Sequence, residues 1–307
     1  MTTAATYSIG IDGGGTKTDF ILVDSSGKIL AKQSTGGTNP SLFGRESVEE
    51  ILRQTCTQLI AEAGIPHDSI HRTLLCMAGP PRTWKSIATN LKGLGDVTSV
   101  DDSIPVVQLA VGDSSGLAIH AGTGSFVAAK DTEGNLHYAG GLGWRMGDPG
   151  SGLDLGRRGM NQAFLELQGW VHSTQLTSEL QNYMGITNLQ EIMEKIYVTS
   201  SDPNKLIGRF APSVVTLATG GLPEALHILT KSIAPIITLA QQVAQKINLP
   251  STCRCGLSGR LLSSPLGMDL IKETLTTSSL QWDLRCVTEP PIEGIRQLLM
   301  SDLQVAQ

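Results

Sequence analysis

The feature that most constrains this chain is a run of three glycines near its start, in the segment DGGGTKT at residues 12–18. Residues 7–11 and 20–23 on either side are short and apolar, as strands are, so the glycines are expected to form the turn of a hairpin. Glycine loses more backbone entropy on folding than other residues, and it has no side chain to pack. Three in a row therefore indicate that the backbone must approach a ligand closely. Such a turn presents successive N–H groups, and the Thr16 hydroxyl, to a phosphate.

A second turn of small residues, AGTGS at 121–125, follows the apolar segment 117–120 and leads into the strand-like segment 126–130. Two such turns, each opening a meander of three strands, predict two phosphate-holding hairpins that face each other across a cleft. Asp12, at the end of the first incoming strand, is placed to hold Mg²⁺, usually through water. The Walker-A spacing is absent from the first turn, and a plain hairpin turn is the alternative for each copy.

Length and composition predict two α/β domains. The 307 residues exceed the usual length of one domain. Hydrophobic residues make up 40% of the chain and charged residues only 17%, which argues against disorder. Strand and helix patterns alternate up to residue 139, and the stretch 151–246 is mostly helical. A strand at 253–257 and helices at 266–275 and 292–303 follow.

Charge and cysteine content exclude several classes of partner. A net charge of −5, with no run of lysine or arginine, predicts no nucleic-acid partner. The five cysteines show no C-x-x-C pair, which favours buried free thiols over a metal site. No apolar run approaches the roughly 18 residues of a membrane-spanning helix, and residues 1–6 lack the apolar centre of a signal peptide. We therefore expect a cytoplasmic protein with no membrane partner.

Four motifs occur in the order seen in N-acetylglucosamine kinases: DGGGTKT at 12–18, VDDS at 100–103, AGTGS at 121–125 and GGLGWRMGDPGSG at 140–152. The chain resembles these enzymes, which belong with the BadF/BadG/BcrA/BcrD-type ATPases in the actin and hexokinase superfamily. The resemblance implies an α/β fold of two ribonuclease-H-like lobes, with ATP, Mg²⁺ and a sugar in the cleft between them. It places the N-terminal lobe at 1–117 and the C-terminal lobe at 118–290, with a last helix at 291–307 packing back on the first lobe.

The resemblance also implies roles for individual residues. Asp102 matches the catalytic aspartate, a base that activates the weakly nucleophilic sugar hydroxyl. Asp101 is a rival carboxylate, and so is Asp113, although a turn role in GDSSG explains Asp113 more simply. The expected sugar contacts are Asn39, Asp102, Ser125, Gly141, Gly143 and Asp148. The expected nucleotide contacts are Gly13, Gly14, Gly15, Thr16, Lys17, Gly122, Thr123, Gly124, Ala211, Gly256 and Gly259.

Some readings stay open at this point. Asn39, which precedes Pro40, and Asp148 are alternatively turn or helix-cap residues. Leu142 stands where the family often has an aromatic residue, and Pro149 replaces its usual glutamate. Both departures bear on the identity of the sugar rather than on the reaction. Trp144 is a candidate replacement for the aromatic residue or, equally, a core tryptophan.

The predicted function is transfer of the ATP γ-phosphate to the 6-hydroxyl of a hexosamine, N-acetylglucosamine or glucosamine. The two turns and Mg²⁺ would position and neutralise the phosphate. One alternative is an ATPase that acts on a partner protein through an iron–sulfur cluster, which the cysteine positions do not fit. Another is a non-catalytic sugar sensor, which the presence of Asp12, Asp102 and both turns disfavours. A homodimer is the commonest oligomer in general.

Overall fold

The computed structural model describes residues 6–15, 17–276 and 280–301. They form two compact units, one running up to Gly112 and including the segment from Glu289 onward, the other comprising Asp113–Thr288. Each unit is built around one mixed five-stranded sheet flanked by helices. The predicted α/β class with two lobes is therefore confirmed, and the division between units falls at 112 and 289.

The first unit begins with a meander and continues with alternating helices and strands. Its elements are β1 (Tyr7–Gly13), β2 (Lys17–Asp24), β3 (Ile29–Gly36), α1 (Pro40–Phe43), α2 (Arg45–Ala63), β4 (Ile70–Met77), α3 (Pro81–Asn90), β5 (Asp96–Asp101) and α4 (Ser103–Val111). A 3₁₀ turn, His67–Ser69, precedes β4. The strand order is β3-β2-β1-β4-β5, with the meander antiparallel and the pairs β1–β4 and β4–β5 parallel.

The second unit repeats this plan with a longer helical insertion. Its elements are β6 (Gly116–Ala121), β7 (Ser125–Lys130), β8 (Leu136–Gly140), α5 (Gly152–Leu167), α6 (Gln175–Met184), α7 (Leu189–Glu194), α8 (Pro203–Gly208), α9 (Ala211–Thr219), α10 (Pro223–Lys246), β9 (Arg254–Ser258), α11 (Pro265–Thr276) and β10 (Asp283–Val287). A π-helical turn, Lys195–Thr199, follows α7. The chain then enters α12 (Pro291–Met300), whose residues belong to the first unit.

The two sheets share one topology. Read from the far edge of each meander, the orders are β3-β2-β1-β4-β5 and β8-β7-β6-β9-β10. In both, the first strand pairs antiparallel with the second and parallel with the strand that follows a helix. The carboxyl ends of these parallel strands therefore lie at one edge of each sheet, where α/β proteins place their ligands.

The hydrophobic core of each unit forms where the apolar faces of its helices pack against its sheet. In the first unit, α2 and α3 cover one side of the sheet and α4 and α12 the other. Along α2 the buried residues Val48, Leu52, Cys56 and Leu59 recur at helical spacing, and Gly64 ends the helix with a positive φ of 66°. In the second unit, the long amphipathic α10 packs against β6 and β7.

Several sequence expectations were wrong in detail. No strand was predicted at β10, which is a mostly exposed edge strand whose residues form no apolar run. The cap position of α4 is Asp102, and the Ser103 N–H donates to Asp101 Oδ1 at 2.9 Å. The last helix was predicted to reach 303, whereas α12 ends at Met300. Residues 302 and 303 lie outside the described residues.

The cysteine prediction holds for four of the five residues. Cys56, Cys76, Cys253 and Cys255 are buried free thiols, but Cys286, on the edge strand β10, is exposed. Among the described residues no cluster of three or more histidine, cysteine or acidic side chains could hold a metal ion. No helix in the described part of the chain has the length and apolarity needed to span a membrane.

Candidate functional site

The first glycine turn is held by backbone hydrogen bonds to three different segments. The Gly14 N–H donates to the Lys17 carbonyl at 3.1 Å, which closes the turn, and the Gly14 carbonyl accepts from the Thr38 N–H at 3.0 Å. The Gly13 carbonyl accepts from the Ala78 N–H at 2.9 Å. A side chain at Gly13 would come within 3 Å of the end of the Met77 side chain and of Thr38 Oγ1, so Met77 would have to move. The predicted contact Thr16 lies outside the described residues.

Asp12 lies at the carboxyl end of β1, between Asp19 on β2 and Cys76 on β4. Burial and the neighbouring Asp19 raise the pKa of Asp12 to about 6, and Lys17 opposes that shift. Lys17 pairs with Asp19 at 2.8 Å. Two adjacent carboxylates, one of them poorly solvated, are a donor set that suits a divalent cation bound through oxygen. The residues present therefore fit the predicted Mg²⁺.

Asp102 stands at the junction of β5 and α4. Although it occupies the cap position of α4, its side chain makes no capping hydrogen bond. Burial raises the pKa of Asp102 to about 7, with further contributions from Asp101 and Asp12. The charge of Asp12 contributes to the raised pKa of Asp102 because both residues lie at the same edge of the first sheet. A carboxylate with a pKa near neutrality suits a general base.

The two rival carboxylates are engaged elsewhere. Asp101 is exposed, and its Oδ1 accepts the N–H of Ser103. Asp113 is exposed in the turn that follows α4, in keeping with a turn-forming role. Of the three candidates, Asp102 alone is not exposed, and burial raises its pKa.

Asn39 caps the short helix α1, so the cap role considered for it is real. Its Oδ1 accepts the N–H of Ser41 at 3.0 Å. Its amide nitrogen makes no hydrogen bond with a described residue and stays available as a donor. The preceding residue Thr38 fixes it in place, because the Thr38 hydroxyl bonds Thr18 at 2.8 Å and its N–H reaches Gly14. The sequence carries no signal for these two threonine contacts.

The second turn is closed in a similar way. The Gly122 N–H donates to the Gly124 carbonyl at 2.8 Å, and the Gly122 carbonyl accepts from the Gly152 N–H at 2.9 Å. The latter bond ties the turn to the start of α5, whose cap is the buried Ser151. Ser151, with Asp154 three residues later, follows the helix-start pattern, so the capping rules could have found this anchor.

The remaining predicted nucleotide contacts lie in the second unit. Gly256 is buried in β9 beside Ala118 of β6. Gly259 follows β9 with a φ of +98°, and a side chain there would overlap the carbonyl of Ala121. The structure thus brings Gly259 directly against the second turn. Ala211 is buried at the first position of α9. Its contact with the nucleotide stays a prediction.

The predicted sugar contacts of the second unit meet beside this turn. Ser125 and Asp148 are both buried, and neither Ser125 Oγ nor Asp148 Oδ1 has a hydrogen-bond partner in the described part of the chain. Burial raises the pKa of Asp148, while the N–H groups of Ser125 and Gly143 act in the opposite direction. The Gly141 N–H donates to the Ser125 carbonyl at 3.0 Å. Buried polar atoms without a partner are rare in native proteins, and two together favour a polar ligand.

The loop that carries Gly141 and Gly143 exposes large apolar side chains. Leu142 is 70% exposed and Trp144 50% exposed, so Trp144 is not a core tryptophan. The Arg145 guanidinium lies 5.3 Å from the centre of the Trp144 ring. Gly141 and Gly143 have φ values of +61° and +81°, which side chains rarely adopt. The glycines therefore shape this loop and leave an aromatic ring at its surface.

Comparison with known proteins bears on the identity of this chain. The sequence model of the BadF/BadG/BcrA/BcrD ATPase family matches residues 9–260. The chain belongs to this family. The recognition made from its four motifs is thereby confirmed.

Characterised relatives are kinases of amino sugars. An N-acetylmuramic acid/N-acetylglucosamine kinase of Clostridium acetobutylicum is 26% identical over 62% of this chain and 64% of its own length. The match therefore spans slightly less than two thirds of that relative. An N-acetyl-D-glucosamine kinase of Dictyostelium discoideum is 25% identical over 78% of this chain and 80% of its own. A glucosamine kinase of Vibrio cholerae is 26% identical over 79% and 83%.

Solved structures show the same fold. A Chromobacterium violaceum protein, provisionally described as an N-acetylglucosamine kinase, superposes with a TM-score of 0.73 over 97% of this chain and all of its own, at 23% identity. A Streptomyces griseus ROK-family glucokinase, solved with glucose and AMPPNP, gives a TM-score of 0.58 over 95% and 97% at 16% identity. At these identities the likeness shows the fold, which is that of actin and hexokinase.

Proposed function

We propose that this protein is an ATP-dependent kinase that phosphorylates the 6-hydroxyl of a hexosamine, N-acetylglucosamine or glucosamine. The observation that carries this proposal is Asp102, a carboxylate free of capping contacts whose pKa is raised to about 7 beside the phosphate-binding turn of Asp12. The three amino-sugar kinases among the relatives support the substrate class.

For phosphoryl transfer the protein has to position the two substrates and supply one general base. A sugar hydroxyl attacks the γ-phosphorus, the bond to the ADP oxygen breaks, and the hydroxyl proton passes to the base. Asp102 would accept that proton. At neutral pH a carboxylate with a pKa near 7 is partly ionised and basic enough to take it.

The phosphates would be bound by backbone N–H groups of the two turns. The nucleotide-binding residues proposed are Gly13, Gly14, Gly15, Thr16 and Lys17 in the first turn and Gly122, Thr123 and Gly124 in the second. Ala211, Gly256 and Gly259 would contact the nucleoside. Asp12 would hold Mg²⁺, which when bound neutralises negative charge on the phosphates. The partnership of Asp12 with Asp19 supports this assignment.

The sugar would complete the hydrogen bonding of the second unit. Leaving a buried polar group without a partner costs about 1–3 kcal/mol, and Ser125 Oγ and Asp148 Oδ1 are two such atoms. Hydroxyl groups of a sugar can donate to the Asp148 carboxylate and exchange a hydrogen bond with Ser125. Asn39, with a free amide nitrogen, and the backbone at Gly141 and Gly143 would add further contacts.

A coupled assay of ADP release tests the proposal. The protein is supplied with Mg²⁺ and ATP, together with N-acetylglucosamine, glucosamine, N-acetylmannosamine, N-acetylmuramic acid or glucose in turn. We expect strong turnover with N-acetylglucosamine or glucosamine, and turnover about 10²–10⁴-fold lower from Asp102→Asn. A protein that binds ATP but turns over no member of the panel would contradict the proposal.

Three further assignments accompany it as predictions. The two units would be the lobes predicted at 1–117 and 118–290, the protein would act in the cytoplasm, and its partner would be a small sugar rather than a nucleic acid or a membrane. A homodimer is tested by light scattering after size-exclusion chromatography. The alternative of an ATPase with an iron–sulfur cluster is disfavoured by the burial of four of the five cysteines.

A further inference from the structure

His120 lies at the base of the second turn in the position that Asp12 holds at the base of the first. The sheets share one topology, and each hairpin ends in a last cross-strand pair, Gly13 with Thr18 and Ala121 with Ser125. Asp12 and His120 are the residues immediately before those pairs. Since side chains alternate along a strand, both point to the corresponding face of their sheets.

The imidazole is held firmly by its neighbours. Its Nδ1 is 3.1 Å from Ser258 Oγ on the adjacent strand β9. Its ring stacks on Phe126, with ring centres 4.9 Å apart and planes at 20°. Phe126 in turn stacks on Tyr138 at 5.5 Å. Contacts from two strands therefore fix the plane of the ring.

The opposite edge of the imidazole, which carries Nε2, lies against Gly122 of the second turn. A methyl group built on Gly122 would lie 2.9 Å from His120 Nε2. A side chain at Gly122 would therefore require the imidazole to move, which places Nε2 directly beside the turn. Nε2 has no hydrogen-bond partner among the described residues, so this ring nitrogen is left for a ligand or water.

The ring stays neutral at physiological pH. Burial lowers the pKa of His120 to about 4. If the Ser258 hydroxyl donates to Nδ1, the single ring proton is on Nε2, since each neutral imidazole has one donor and one acceptor nitrogen. A neutral N–H next to a phosphate-binding turn adds a donor without adding a charge.

We propose that His120 is a further nucleotide-binding residue, whose Nε2–H donates to a phosphate oxygen held at the Gly122–Gly124 turn. Ser258 and Phe126 are positioning residues that fix its tautomer and orientation. This inference rests on the proposed binding of ATP. None of the nucleotide contacts expected from the family motifs includes His120.

Binding measurements on two matched variants test it. In His120→Gln the amide nitrogen can reach about as far as Nε2, whereas in His120→Asn it reaches only about as far as Nδ1. We expect His120→Asn to bind a non-hydrolysable ATP analogue with Mg²⁺ at least about tenfold more weakly, the effect of losing one hydrogen bond to a charged group. His120→Gln should retain most of the affinity, and adenosine should bind all three proteins alike. Equal binding of the analogue by His120→Asn and the unmodified protein would overturn the proposal.

A second measurement needs no substitution in the protein under test. The ¹⁵N resonance of His120 Nε2, assigned by its absence from the spectrum of His120→Asn or His120→Gln, should shift when the ATP analogue binds and stay in place with adenosine. An unchanged resonance with the bound analogue would overturn the proposal. Because neither measurement uses a sugar, a protein that binds the analogue but phosphorylates no hexosamine would contradict the kinase function and leave this test valid. Failure to bind the analogue would contradict both.

Discussion

Asp12 on β1 lies directly opposite Asp19 on β2 in the antiparallel register of the first hairpin. Like charges in this arrangement are destabilising, and burial together with Asp19 raises the pKa of Asp12. The negative charge of Asp19 is stabilised by an ion pair with Lys17 at 2.8 Å and by a hydrogen bond from the Ser34 hydroxyl. The Asp12 side chain makes no ion pair or hydrogen bond with a described residue, and a bound divalent cation would offset the repulsion between the two carboxylates.

The Mg²⁺ concentration that turnover requires should therefore rise when either carboxylate is removed. Asp12→Asn should raise the Mg²⁺ concentration for half-maximal turnover by well over tenfold, and Asp19→Asn by about tenfold, the range seen when a neighbour of a metal ligand is lost. Asp24→Asn is the control, because Asp24 lies at the far end of β2, where it accepts hydrogen bonds from its own turn. Turnover is titrated with Mg²⁺ at saturating ATP and sugar. The same midpoint in Asp12→Asn and Asp24→Asn would refute the assignment of Asp12.

Removal of the proposed base should abolish catalysis while preserving the fold. Asp102→Asn is expected to lower kcat by about 10²–10⁴-fold, the usual contribution of general-base catalysis, with ATP affinity nearly unchanged. Asp101→Asn is the matched control, because an amide oxygen can still accept the Ser103 N–H that Asp101 accepts. Steady-state kinetics and nucleotide titration measure both effects. Should Asp101→Asn lose as much activity as Asp102→Asn, the base would have to be reassigned.

The raised pKa of Asp102 also has a consequence for stability. The folded protein binds its proton up to about pH 7, whereas an unfolded chain releases it near 3.8. Between these values the folded state carries more protons, so the Asp102 contribution to stability falls as pH rises through this window. Asp102→Asn should therefore raise the Tm of the ligand-free protein by about 2 °C or more near pH 8, with little change near pH 4. Thermal denaturation at both pH values measures this, and a Tm increase of equal size at both would contradict it.

Ser125 should matter for sugar binding and not for folding. Its buried hydroxyl has no hydrogen-bond partner among the residues that the structure describes, so Ser125→Ala is expected to leave the Tm unchanged or slightly higher. The KM for the sugar should rise by about fivefold to tenfold, as when one hydrogen bond is lost. Ser232→Ala is the contrast, because the buried Ser232 hydroxyl donates to Asp154 Oδ2 at 2.7 Å. That variant should lose about 1–3 kcal/mol of stability and keep its KM. If the two variants behave alike, Ser125 does not contact the sugar.

Much of the fold could be predicted from consecutive residues. The two glycine turns, the meanders they open and helices such as α2 and α10 follow from turn chemistry and apolar period, which are local properties of a chain. The candidate residues Asp12, Asp102 and Asp148 also came from the sequence, through motifs whose order resembles one family. The edge strand β10 was missed because its exposed residues carry no such period.

Tertiary structure decided which of these residues meet. Strand register sets His120 beside Ser258, and this register depends on pairing between segments far apart in the chain. Packing buried Ser125 Oγ and Asp148 Oδ1 without a hydrogen-bond partner among the described residues, and it brought Gly122 against the His120 ring. Sequence alone thus determined the turns and the chemistry each residue can offer. Long-range packing determined their protonation and their neighbours, because both depend on how much water and charge the folded chain leaves around each group.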